Sequence, residues 1–156
     1  MTKNKSDNSK VAVLGHWEIG YMTPIMEANF WNLVLRDFEV SQWYMTPVSG
    51  IKHNEDQKID LYERDSYDEV FEETKDLKRV FLEPRTQKQP DTVWLYEFKH
   101  PEKCIYVFGS AHYNPTIAHK REKDVVVSIK TIQDTGVLWS NQCLAIVLYD
   151  RLMKGI

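Results

Sequence analysis

At 156 residues with a net charge of −3, the chain is no bulk polycation. Hydrophobic residues make up 42% and charged residues 28%, which suits one soluble globular domain with a single substantial core. No apolar run approaches the ~20 residues of a membrane span, and MTKNKSDNSK lacks the hydrophobic block of a secretory signal.

Residues 1–10 read as a disordered polar tail ahead of a single domain over 11–156. Lys10–Leu14 begins a short apolar strand that ends at Gly15-His16. Thr23-Pro24 has the form of a helix start, Thr as N-cap and Pro at the first helical position. From Ile25 to Val40 the residues Met26, Phe30, Trp31, Val34, Leu35 and Phe38 recur at helical spacing. Gln42–Met45 reads as a second strand stopped by Pro47, completing a parallel βαβ unit.

Residues 51–65 are polar and irregular, a loop or insertion. Ser66-Tyr67-Asp68-Glu69 is a capping-box pattern that predicts a helix over 66–77. Arg79–Leu82 is the third expected strand, and Asp91 is a plausible cap for a short helix over Thr92–Phe98. The fourth strand is Cys104–Phe108, apolar on both faces, and the fifth is Val125–Ile129. Asp134-Thr135-Gly136 is expected to cap a last helix running from about Val137 to Lys154. That helix is apolar around most of its circumference, from Leu138 and Trp139 to Leu152, which favours a subunit interface.

Charge is uneven: residues 51–92 hold twelve acidic and eight basic side chains. The densest basic run is His119, Lys120, Arg121 and Lys123, either a solvated loop or a phosphate contact. Cys104 and Cys143 both sit in apolar segments without metal-ligand spacing, so they read as reduced core residues of a cytoplasmic protein that holds no metal. The five tryptophans, Trp17, Trp31, Trp43, Trp94 and Trp139, are spread through predicted elements and suit core or interface better than base stacking.

The stretch LYEFKHPEKCIYVFGS, Leu95 to Ser110, leads a buried strand into a Phe108-Gly109-Ser110 exit, where glycine permits close backbone approach. With Asn29-Phe30-Trp31-Asn32 on the first helix and Val127-Ser128-Ile129 followed by Val137-Leu138 and a helix ending in Ile146-Val147-Leu148-Tyr149-Asp150, it resembles the three motifs of the SPOUT RNA methyltransferases, SpoU-like 2′-O-ribose branch. The resemblance covers most of residues 10–156 and is strongest in the C-terminal sixty. It implies an α/β fold with a five- or six-stranded, mostly parallel sheet, helices on both faces and a C-terminal trefoil knot. It also implies S-adenosyl-L-methionine as cofactor, tRNA or rRNA as substrate, and a homodimer formed through the first and last helices.

By this resemblance the cofactor lies among Val107, Phe108, Gly109, Ser110, Ile129, Thr131 and Leu138. Three polar signature positions depart from the family. Asn32 stands in place of the arginine, Ala111 in place of a glutamate, and Trp139, followed by Ser140-Asn141, in place of an asparagine. An amide is neither basic nor charged, so Asn32 alone cannot serve the arginine's role. Arg36, one helical turn further, and His112, three residues beyond Gly109, are the residues expected to compensate, with His16 at the first strand's exit as another candidate. Two other readings stand beside the enzyme. One is a catalytically inactive SPOUT-like domain that binds RNA, the cofactor or a protein. The other is a flavodoxin-like domain, against which Gly15-His16-Trp17-Glu18-Ile19-Gly20 has the wrong spacing for a phosphate loop.

Overall fold

A computed structural model describes residues 7–51, 59–84, 91–133 and 138–156. The order is β1 (Val11–His16), α1 (Pro24–Asp37), β2 (Gln42–Thr46), β3 (Leu61–Glu63), α2 (Tyr67–Glu73), β4 (Lys78–Leu82), β5 (Val93–Trp94), β6 (Cys104–Val107), α3 (Pro115–His119), β7 (Val125–Ser128) and α4 (Ser140–Met153). The strands form one seven-stranded sheet, ordered β3-β2-β1-β6-β4-β7-β5, with every pairing parallel.

The sheet exceeds the expected five or six strands, and two of its seven were not located from sequence. Residues 61–63, expected as loop, form β3, and Val93-Trp94, expected in a helix, form β5 ahead of a 3-10 turn over Leu95–Glu97. Both are edge strands of three and two residues, too short to show an alternating pattern. The helix α3, capped by Asn114 Oδ1 accepting from Ile117 N at 3.2 Å, was also not anticipated.

Period-two burial sorts the strand residues onto two faces. Val11, Val13, Cys104, Tyr106, Val80 and Leu82 join α1 and α4 in one core. Ala12, Leu14, Ile105, Val107 and Phe81 join Tyr67, Val70 and Phe71 of α2 in the other. Thr23 caps α1, and Ser66 caps α2 by accepting from Glu69 N, as expected, although α2 stops at Glu73. The anticipated cap Asp134-Thr135-Gly136 lies outside the described residues; α4 starts at Ser140, and the Trp139 N–H donates to Gln142 Oε1 at 2.9 Å.

Burial of α4 is one-sided. Leu144, Val147, Leu148 and Arg151 are buried, whereas Ile146, Tyr149, Leu152 and Met153 are exposed. On α1, which packs on α4, Ile25, Met26, Phe30 and Leu33 are likewise exposed. The C-terminal end of α4 is fixed by polar groups. Arg151, wholly buried, donates to the carbonyls of Pro101 (2.6 Å) and Glu102 (3.1 Å) and to Asn8 Oδ1 (3.0 Å). Asn8 also donates to the Phe38 carbonyl at 2.7 Å, so the expected polar tail over 1–10 is anchored from Asn8 onward.

Among the described residues no helix is long and apolar enough to cross a membrane, and no cluster of His, Cys, Asp and Glu is arranged to hold a metal.

Candidate active site

The helices that follow the neighbouring strands β1 and β6 lie on opposite faces of the sheet, which makes the β1–β6 exit a topological switch point. In an open parallel sheet such a point leaves a crevice beyond the carboxyl ends of the strands. His16 ends β1 there, and Phe108-Gly109-Ser110 leaves β6 beside it. The Phe108 N–H donates to the Leu14 carbonyl at 2.8 Å, holding the two exits in register.

Three other segments close on this exit. From α4, the Ser140 hydroxyl donates to the Gly109 carbonyl at 2.5 Å. From α2, the Tyr67 hydroxyl donates to the Phe108 carbonyl at 2.5 Å. From the β1–α1 loop, the buried Glu18 carboxylate accepts the Ala111 N–H at 3.0 Å. Ala111 thus meets a carboxylate after all, one supplied by a different segment.

Gly109 has a different physical role from the one its sequence suggests. A Cβ there would stand 2.4 Å from the Tyr113 carbonyl oxygen and 2.7 Å from Pro115 Cδ. The glycine is required by the chain's own tight turn, in which Ser110 and Tyr113 exchange backbone hydrogen bonds.

His16 is half-buried. Its Nδ1 lies 3.0 Å from the Trp17 carbonyl and 2.9 Å from Ser110 Oγ, and its ring stacks on Tyr113 at 5.0 Å. Burial holds the imidazole below its usual pKa, with the neighbouring His112 pushing the same way. The Tyr113 phenol meets His119 Nε2 at 2.5 Å, and His119 Nδ1 faces Asp68 Oδ1 at 3.3 Å. His119 lies flat against Tyr67, so the rings of Tyr113, Tyr67 and His119 brace one another behind His16.

Below the β1 exit sits a second carboxyl. Glu27 of α1 is buried and accepts the Glu18 N–H at 2.9 Å and the Trp31 Nε1–H at 3.4 Å. Burial, which outweighs these bonds, raises its pKa to about 7.

The candidate residues fall into three groups. His112 is exposed, donates its N–H to Ser110 Oγ at 3.3 Å and stacks on Tyr21 at 5.3 Å, so it belongs to the crevice rim. Asn32 is buried, and its Oδ1 accepts the Ile59 N–H at 3.1 Å, which ties α1 to the segment before β3. Arg36 lies in the last turn of α1, roughly 20 Å along the helix from its capped start, toward the amino ends of the strands. The structure therefore brings His16, Ser110 and His112 together and leaves Asn32 and Arg36 apart from them.

Val107, Phe108, Gly109 and Ser110 occupy one side of the end of β4, and Ile129 and Thr131 follow β7 on the other. Leu138, partly exposed, precedes the turn that Ser140 fastens to Gly109. Glu83, buried at the end of β4 between these sets, has its carboxyl pKa raised by burial and accepts from Asn114 Nδ2 at 3.3 Å. Glu18 and Tyr67 were not anticipated, although Tyr67 stands next to the Ser66 cap; His119, expected in a solvated loop or at a phosphate, instead packs against Tyr67 and bonds the Tyr113 hydroxyl.

Neither a protein-family description nor a curated protein matches the chain by sequence. Solved structures match it by shape. A TrmH/SpoU tRNA-modifying enzyme of A. aeolicus superposes with a TM-score of 0.67 at 14% identity, over 97% of this chain and 79% of its own. The chain has the SpoU methyltransferase fold. The SpoU methyltransferase AviRb of Streptomyces viridochromogenes agrees at TM-score 0.71 and 11% identity, over 96% of this chain and 61% of its own. A structure described for 2′-OH methylation of C/U34 on tRNA gives 0.67 and 14%, over 95% and 92%. In this SpoU-type fold the departures at Asn32 and Ala111 coincide with residues engaged in internal hydrogen bonds.

Proposed function

We propose that the chain is an S-adenosyl-L-methionine-dependent RNA 2′-O-ribose methyltransferase acting on tRNA or rRNA in the cytoplasm. One observation carries the reading: the β6 exit, the start of α4 and the histidine ending β1 converge at the switch point of a SpoU-type sheet. The residues present suit the cofactor. Gly109 N–H has no hydrogen-bond partner among the described residues, and Leu138 offers an apolar surface across the turn. Main-chain donors with apolar side chains are the chemistry that holds a purine nucleoside. Val107 to Ser110, Ile129, Thr131 and Leu138 would hold it. When bound, the cofactor supplies an electrophilic methyl group. The protein's part is to align a ribose hydroxyl with that group, which contributes much of the rate, and to accept its proton.

The trefoil knot of this family belongs to the same proposal, as does the homodimer. The exposed apolar residues Met26, Phe30 and Leu33 of α1 and Ile146, Tyr149 and Leu152 of α4 supply a surface of interface character. His112 and Tyr21 stand at the crevice rim, where an unpaired base has aromatic rings to stack on.

The second reading, a domain that binds RNA without modifying it, is favoured by Asn32, whose amide is engaged with Ile59. The test is transfer of labelled methyl from S-adenosylmethionine to unmodified tRNA and rRNA, with digestion to nucleosides and mass spectrometry. A 2′-O-methylnucleoside supports the enzyme; retained RNA binding without transfer supports the second reading.

A further inference from the structure

The protonation of His16 is fixed by its neighbours. The Trp17 carbonyl stands 3.0 Å from Nδ1 and can only accept, so Nδ1 carries the ring proton. Ser110 Oγ, 2.9 Å away, accepts a share of the same donor, as it accepts the His112 N–H. Nε2 is then the unprotonated nitrogen, and it has no hydrogen-bond partner among the described residues. Tyr113, itself held by His119, fixes the plane of the ring.

We propose that His16 Nε2 takes the proton of the substrate hydroxyl, a task for which Asn32 has no basicity and Arg36 no proximity. This rests on the methyltransferase reading above. The hydroxyl oxygen gains the methyl carbon, its proton passes to Nε2, and the electron pair of the broken carbon–sulfur bond stays with sulfur. His16 leaves the step as imidazolium and returns the proton to water.

The surroundings suit a neutral base. His112 and Tyr113 face the ring from the β6–α3 loop, and Tyr67 of α2 lies against Tyr113. On the β1 side, the Glu18 carboxylate is engaged by the Ala111 N–H, and Glu63 of β3 accepts the Trp17 Nε1–H at 3.1 Å. Burial keeps the imidazole below its ordinary pKa of 6.5, so it is free to accept at pH 7.

The variant that separates chemistry from structure is His16→Asn. Its amide N–H replaces Nδ1–H toward Trp17, and Nε2 is lost. The expected result is a kcat lowered about 10²- to 10⁴-fold, with the affinity for S-adenosylmethionine, read by calorimetry on the protein alone, unchanged. Nitrogen-15 NMR of the wild-type protein, without RNA or cofactor, should show the Nδ1–H tautomer with a pKa below 6.5. The wild-type rate should fall below that pKa, and this limb should vanish in the variant. His16→Gln takes its place if asparagine disrupts folding. An Nε2–H tautomer, or a folded variant as active as an active wild type, overturns the proposal alone. A wild-type protein that binds cofactor but methylates no RNA overturns the enzyme reading and this step together.

Discussion

Ser140 Oγ donates to the Gly109 carbonyl at 2.5 Å, fastening the first turn of α4 to the exit of β6. The bond joins two of the loops proposed to hold the cofactor, and it is partly buried. Ser140→Ala leaves that carbonyl without its donor, at a cost of about 1 kcal/mol. Urea unfolding should show a lower midpoint with an unchanged slope.

Gly109→Ala tests whether the turn or a ligand demands glycine. The added Cβ would press on the Tyr113 carbonyl and the Pro115 ring, so it should destabilise the free protein by about 1–3 kcal/mol. Thermal unfolding without any ligand measures this. An unchanged midpoint would return the glycine to a role in ligand approach.

Glu27 sets a pH dependence of known sign. Its carboxyl titrates at about 7 when folded, against 4.5 when unfolded. Between those values the unfolded chain has lost the proton that the folded chain keeps. Its contribution to stability therefore declines as pH rises from 4.5 to 7 and stays constant above, by about 3 kcal/mol in all. His16 and His100, both held below 6.5, act in the opposite direction in acid. Glu27→Gln isolates the carboxyl: the variant should gain stability relative to wild type at pH 8 and lose that advantage at pH 4.5. Denaturant midpoints at the two pH values are the measurement.

Arg151 anchors the end of α4 by donating to carbonyls rather than to a carboxylate. It also reaches the Tyr106 hydroxyl at 3.3 Å, which in turn lies 2.7 Å from His100 Nδ1, and His100 Nε2 meets Asp150 at 2.8 Å. Arg151→Ala strands several buried acceptors and should cost about 3 kcal/mol or more. Arg151→Lys should recover only part, because one ammonium cannot reproduce the guanidinium fork. Equilibrium unfolding of both variants decides it.

The exposed apolar residues of α1 and α4 predict association. Phe30→Asp combined with Leu33→Asp should convert a dimer to a monomer in sedimentation velocity. A wild-type monomer at micromolar concentration would contradict the proposed interface.

The sequence and the structure agree where the hydrophobic period is long. The Thr23-Pro24 start and the five central strands were legible because each buries several residues in a fixed period. Leu61–Glu63 and Val93–Trp94 were not, because an edge strand of two or three residues needs only its partner's open hydrogen bonds. The site was legible in part. His16, Ser110 and His112 meet in the crevice, but the Glu18 and Tyr67 contacts join segments far apart in the chain and leave no local pattern. Arg36 shows the converse: a basic residue near a motif in sequence is carried by the helix away from the strand exits, toward the amino ends of the strands.

The proposed function stands on a site for S-adenosylmethionine between the β6 exit and the start of α4. Titration calorimetry of the purified protein with S-adenosylmethionine and S-adenosylhomocysteine tests it most directly. Both should bind at micromolar concentration, about −8 kcal/mol, and more weakly in Ser140→Ala. Absence of heat at millimolar ligand would contradict it and leave a SpoU-type fold without the family's cofactor.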